Sequence, residues 1–131
     1  MKTSVDFNSE LFRPFLPEEA QVNPQVYGAE LAYWLSHQLA LKGIATSYPN
    51  YEDWGWFLEY VNVDDEYWLC CGNSDEEGNE WRCFLRPLSK GFFGRKKAPV
   101  SHAAPLLNAL RELLEECGGI SRIRWSNDYD F

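Results

Sequence analysis

From Trp54 to Arg86, large apolar side chains recur at every second position through three successive segments separated by turn-forming residues. Alternation with a period of two belongs to strands with one buried face, so this stretch reads as an antiparallel meander. The segments are Trp54–Val61, Tyr67–Cys71 and Glu80–Arg86, and Ile44–Tyr48 precedes them as a fourth strand candidate. Val63-Asp-Asp-Glu66 reads as a tight hairpin turn, and Ser74-Asp-Glu-Glu-Gly-Asn79 as a longer connection containing glycine. A two-residue loop at Asp64-Asp65 sets Tyr60 opposite Leu69 and Leu58 opposite Cys71. In the next hairpin, Cys71 falls opposite Cys83 and Leu69 opposite Leu85. One face then carries Trp54, Trp56, Leu58, Tyr60, Leu69, Cys71, Trp81, Cys83 and Leu85, and this is the expected core face.

The opposite face carries Phe57, Glu59, Trp68, Cys70, Arg82, Phe84 and Arg86. Three large rings among charges make it too apolar for a plainly wet surface and too charged for a buried one. Two readings follow. Phe57, Trp68, Phe84, Arg82 and Arg86 form a partner or homodimer surface, since aromatic residues and arginine are enriched at interface centres. Alternatively, an N-terminal arm bearing Phe12, Phe15 and Leu16 covers the face within the monomer. Gly55 lies on this face, where a missing side chain lets a crossing segment approach.

Two helical stripes supply the second layer. Asn23-Pro24 reads as an N-cap and first helical position, and Gly43 as the stop after Lys42. Tyr27, Leu31, Trp34, Leu35 and Leu39 recur at helical spacing between them, with Tyr33 and Leu41 outside the stripe. Ser101 is expected to cap a second helix through Cys117, with Leu106, Leu107, Leu110, Leu113 and Leu114 inward and Gly118-Gly119 ending it. Thr3–Phe7 and Ile120–Trp125 are the first and last strands, with Ile123 and Trp125 on one side of the alternation. The order strand, helix, four antiparallel strands, helix, strand describes a two-layer α+β domain. The expectation is one mainly antiparallel sheet of about five strands packed against two helices. One domain spans residues 1–131, with an N-terminal strand and arm over 1–22 and a flexible tail over 126–131.

The chain has 131 residues, a net charge of −8 and 16% aromatic residues, enough for a core without disulfide or metal staples. The acidic balance argues against nucleic acid, which is bound by clustered lysine and arginine. It suits a basic protein partner or a solvated surface. No apolar run is long enough to span a bilayer, and the first residues lack the apolar stretch of a secretory signal, which points to a cytoplasmic protein. The only basic run, residues 90–97, is expected to be a mobile loop, with Phe92-Phe93 as a partner contact.

Consecutive hairpins place Glu52 and Asp53 at the same end of the sheet as Asp75, Glu76 and Glu77. With Tyr48 and Tyr51 they make an acidic, tyrosine-bearing rim suited to steering and anchoring a basic protein. Asp64, Asp65 and Glu66 fall at the opposite end.

Catalytic groupings are scarce. Cys70, Cys71, Cys83 and Cys117 lack metal or redox spacing. Cys70 is the best nucleophile candidate, but His37 and His102 sit on separate helices, with no approach to it indicated by the sequence. Carboxylate pairs occur only in turns, and Asp75, Glu76 and Glu77 do not follow calcium-loop spacing. No catalytic residue, metal ligand or cofactor site is therefore assigned.

Tyr27-Gly-Ala-Glu-Leu-Ala-Tyr-Trp-Leu35, Gly43-Ile44 and Glu52-Asp-Trp-Gly-Trp56 resemble a small bacterial protein family without an established activity, over about the central third of the chain. The resemblance implies a bacterial, single-domain origin and carries over no functional residue. Three functions stay open. The first is a non-enzymatic binding protein, such as an immunity protein that neutralises a basic toxin. The second is an acidic secretion-type chaperone acting as a dimer, and the third an enzyme using Cys70.

Overall fold

A computed structural model describes residues 1–21, 23–90, 96–128 and 131, with backbone alone at 89 and 90. The strands are β1 (Ser4–Ser9), β2 (Asn50–Glu52), β3 (Gly55–Asn62), β4 (Asp65–Asn73), β5 (Glu80–Pro87), β6 (Ser89–Lys90), β7 (Lys96–Lys97) and β8 (Ile120–Ser126). The helices are α1 (Ala29–Leu41) and α2 (Ala104–Glu116). Six strands form one sheet in the order β2-β3-β4-β5-β1-β8, and every pairing in it is antiparallel. This is the expected α+β class. The strand β1 inserts between β5 and β8, so the N-terminal strand is interior rather than at an edge. No helix among the described residues is long and apolar enough to cross a membrane. Most of the basic segment, residues 91–95 including Phe92-Phe93, lies outside the described residues.

Both leucine stripes face the sheet. Leu31, Leu35 and Leu39 of α1 and Leu106, Leu107, Leu110, Leu113 and Leu114 of α2 are buried against Val5, Phe7, Leu58, Leu69, Trp81 and Leu85. Burying each such side chain stabilises the fold by roughly 1.5–3 kcal/mol. The register of β4 with β5 is the expected one, with Cys71 opposite Cys83 and Leu69 opposite Leu85.

The β3–β4 register differs from expectation. Its loop is Val63-Asp64, both with positive φ, closed by the pair Asn62 and Asp65. Tyr60 therefore faces Tyr67, and Leu58 faces Leu69. The slip is two residues, an even number, so every side chain keeps its face. Asp65 is drawn out of the turn because its buried carboxylate meets His102.

Three further expectations are corrected. Helix α1 starts at Ala29, not Pro24, because residues 23–27 are stitched to the sheet and Gly28 takes φ 138° against the Cys71 carbonyl. A Cβ at Gly28 would stand 3.0 Å from that oxygen, which only glycine avoids. The strand expected over Ile44–Tyr48 is displaced to Asn50–Glu52; before it, the Ser47 hydroxyl accepts the Glu59 amide in place of a ladder carbonyl. Ser101 makes no cap hydrogen bond; a 3-10 turn over Val100–Ala103 leads into α2, whose first turn holds Pro105. Ile120 is buried, while Ile123 and Trp125 pack against the same core. Strict alternation forbids that parity, and a bulge in the β1–β8 pairing at Arg122 (φ 53°) restores it.

The largest correction concerns Trp54. Glu52 pairs with Gly55, so Asp53-Trp54 is the turn of the β2–β3 hairpin and the alternation begins only at Gly55. Trp56 packs on the helix-side core as expected, whereas Trp54 joins a separate cluster of Phe57, Cys70, Phe84 and Trp68 on the opposite face. That face is not covered by the arm. Phe12 turns into the helix-side core against Trp34 and Trp81, at ring-centroid distances of 5.2 and 6.1 Å. The cover is Phe131, expected to fray, which stacks on Trp54 at 5.8 Å and meets Phe84 edge-on at 5.0 Å. Its ring sits where a Cβ on Gly72 would be 2.6 Å away, so the glycine makes the seat.

Candidate partner-binding surface

The β2–β3 hairpin, α1 and the arm together build one exposed aromatic surface. On the edge strand β2, Tyr51 lies opposite Trp56 with the rings 5.4 Å apart. Tyr48 precedes the buried Pro49, and Tyr33 stands on the outer row of α1. The arm is held firmly: Phe12 is buried, Arg13 reaches Asn79 Oδ1 at 3.1 Å, and Gln21 Nε2 donates to the Leu16 carbonyl at 2.8 Å. Glu18 accepts from the Tyr27 hydroxyl and from the Gln25 amide. Phe15 and Leu16 nevertheless stay outside, at 79% and 47% exposure. Two clefts follow. One of about 460 Å³ is lined by Phe15, Leu16, Ala20, Gln21, Ala29, Glu30, Tyr33 and Trp56. A second of about 440 Å³ runs from Tyr33 along Ser36, His37 and Ala40 to Thr46, Ser47 and Tyr48. Tyr33 is their shared wall, so the surface is continuous from Phe15 to Tyr48.

The acids border this surface. Glu52 and Asp53 are exposed at the β2–β3 turn, beside Tyr51. Residues 23–27 tie that turn to the β4–β5 loop: Asn23 Nδ2 donates to the Asp53 carbonyl and Asn73 Nδ2 to the Gln25 carbonyl, both at 2.9 Å. The Tyr27 amide in turn donates to Asn73 Oδ1 at 2.9 Å. Glu76 and Glu77 are exposed on the loop. Tyr27 is held protonated above the usual tyrosine range, first by its hydrogen bond to Glu18, then by burial and by the charges of Glu18 and Glu76. Glu18 thus belongs to the acidic end, although sequence reasoning assigned it no role. Among the described residues, no lysine or arginine forms an ion pair with Glu52, Asp53, Glu76 or Glu77. Asp75 has a different task. Its Oδ1 accepts the amides of Gly78, Asn79 and Glu80 at 3.0–3.1 Å and holds the loop together.

The second sequence-predicted surface is a filled satellite core. Phe57 and Phe84 are buried, and Phe57 stacks on the half-buried Trp68 at 3.9 Å. The Arg86 guanidinium lies 4.9 Å from the Trp54 ring centre, 5.8 Å from Trp68 and 5.9 Å from Phe84. Arg82 grips Asp6 through two hydrogen bonds of 2.5 and 2.8 Å and reaches Asp128 at 3.3 Å.

The reactive groups have structural surroundings. Burial pushes the Cys70 thiol up to about 12, against a smaller downward pull from Arg86, so it stays protonated at neutral pH. Cys71 is raised as well, first by its hydrogen bond to Cys83, whose sulfur lies 3.8 Å away, and then by burial. Sequence reasoning missed the pair of Asp65 and His102 Nδ1, 2.5 Å apart and brought together from 37 residues away. Asn62 Nδ2 donates to the His102 carbonyl at 2.7 Å and the Tyr67 hydroxyl to the Pro99 carbonyl at 2.5 Å. These contacts dock the start of α2 on the β3–β4 hairpin. Among the described residues, no hydroxyl or thiol is hydrogen-bonded to His102. No group of three or more histidine, cysteine and carboxylate side chains is arranged for a metal among the described residues.

Comparisons with protein-family models, with curated proteins and with solved structures return no match for this chain.

Proposed function

We propose that the domain is a non-enzymatic protein-binding module that docks a basic partner on its acidic, tyrosine-bearing end, in the manner of an immunity protein covering a basic toxin. The observation that supports this most is the exposure of Tyr33, Tyr48 and Tyr51, at 54%, 85% and 59%, on a scaffold that holds their backbone in place. Rigid, exposed rings at the same end as carboxylates that make no ion pair among the described residues have the composition of an interface centre with a steering rim. The dimeric chaperone has less support, because the outer sheet face it would use is filled by Phe131 and by stacked rings. An enzyme based on Cys70 meets a buried, protonated thiol.

The test compares wild type with a Glu52→Ala, Asp53→Ala, Glu76→Ala, Glu77→Ala variant against a purified basic partner captured from the native host. All four residues are exposed, so folding should be intact. The expected result is a loss of affinity of at least tenfold and a salt-dependent association rate. Unchanged affinity would remove the proposal.

A further inference from the structure

Among the described residues, none fills the cleft between the arm and α1. Its lining is apolar at Phe15, Leu16, Ala20, Tyr33 and Trp56, and among the described residues its one charged group is Glu30. Phe15 stands at 79% exposure although the backbone around it is fixed, since Phe12 lies in the core three residues before and Glu18 bonds Tyr27 three residues after. Its exposure therefore does not come from fraying. A mainly apolar cleft of about 460 Å³ falls in the size range of binding pockets.

Charge decides what kind of occupant fits. Among the described residues the lining contains no lysine or arginine and carries the carboxylate of Glu30, and the exposed acids of the β2–β3 turn follow Tyr51, which leans on Trp56. A second copy would bring a chain of net charge −8 against this acidic border. A segment that flanks a large apolar side chain with lysine or arginine meets both the cleft and its rim.

We infer that this cleft is the anchor pocket for the basic partner, taking one large aromatic or aliphatic side chain from a lysine- or arginine-flanked segment. This rests on the proposed binding function and adds to it the anchor and its flanking charge. In the cleft, the side chain lies against Trp56 and between Phe15 and Tyr33, while a flanking cation faces Glu30. The acids set approach and orientation, and the apolar burial sets residence time.

The experiment titrates the isotope-labelled full chain with two synthetic peptides, Lys-Lys-Leu-Phe-Lys-Lys and Glu-Glu-Leu-Phe-Glu-Glu, and follows the Trp56 indole and the methyls of Leu16, Ala20 and Ala29. The expected result is saturable shifts confined to these groups with the basic peptide, and binding at least tenfold weaker with the acidic one. A Phe15→Ala, Tyr33→Ala variant should weaken the basic peptide at least tenfold while keeping the wild-type melting temperature, because both side chains are exposed. Shifts elsewhere on the surface, or none, overturn the anchor pocket. If the quadruple acid variant loses the natural partner while an Ala29→Trp variant that fills the cleft keeps it, the pocket fails and the acidic-end function stands. Equal binding of both peptides in the cleft would instead sink the basic-partner function itself.

Discussion

Val63 adopts φ 53° in a two-residue hairpin loop, a left-handed conformation that costs a β-branched residue about 1–2 kcal/mol. Asparagine takes that conformation readily. Val63→Asn should therefore raise stability by about 1 kcal/mol, read as a shift of the urea midpoint at constant slope; an unchanged midpoint would show that the loop is not so strained. Titrating groups give a second expectation at this scale. Tyr60 and Tyr67 are raised by burial, Tyr27 by its bond to Glu18, and Cys70 to about 12 from an ordinary value of 9.0. Each is neutral in the fold and gains charge more easily once unfolded. Their contribution is complete below the unfolded values, near 9 for the thiol and about 10 for the phenols, and is lost as pH rises through the folded ones. Urea midpoints should fall between pH 8 and pH 10.5, and less steeply in a Cys70→Ala variant. Midpoints flat over that range would contradict these environments.

At the scale of elements, the outer sheet face depends on Phe131. With Trp54, Phe57, Trp68 and Phe84 it forms a ring cluster over the glycines of β3 and β4. Phe131→Ala should cost about 1–2 kcal/mol, less than a fully buried phenylalanine because the ring is part exposed, and should shift tryptophan emission to the red. A change within about 0.5 kcal/mol would show that the ring does not hold the face. The alternation of β3, β4 and β5 was legible in the sequence because parity survives even an error of two in register. Trp54 was misread because a turn ends the alternation one residue later than the aromatic spacing implies. The start of α1 was misread because its stop signal is the Cys71 carbonyl, 43 positions from Gly28 and invisible to local capping rules. Asp65 was hidden in the same way by its distant partner His102. Glu52, Asp53, Glu76 and Glu77 were legible as turn acids at one end. The cleft was not, because the path of the arm gives the core position to Phe12 and leaves Phe15 outside.

For the whole molecule, the layers leave one end of the sheet open to a partner. Both helices cover one face, aromatic rings fill much of the other, and residues 23–27 join two acidic turns beside an apolar cleft. The net charge of −8 favours a basic partner by steering, an effect that weakens as salt shortens the screening length to about 3 Å at 1 M. The central claim is that binding occurs here and not on the ring-filled face. Hydrogen–deuterium exchange of the domain alone and with its purified partner measures this directly. The account predicts added protection over residues 15–21, 29–37 and 47–53, with β8 and the Trp54, Trp68 and Arg86 cluster unchanged. Protection centred on that cluster or on β8, with the cleft and the β2–β3 turn unaffected, would contradict it.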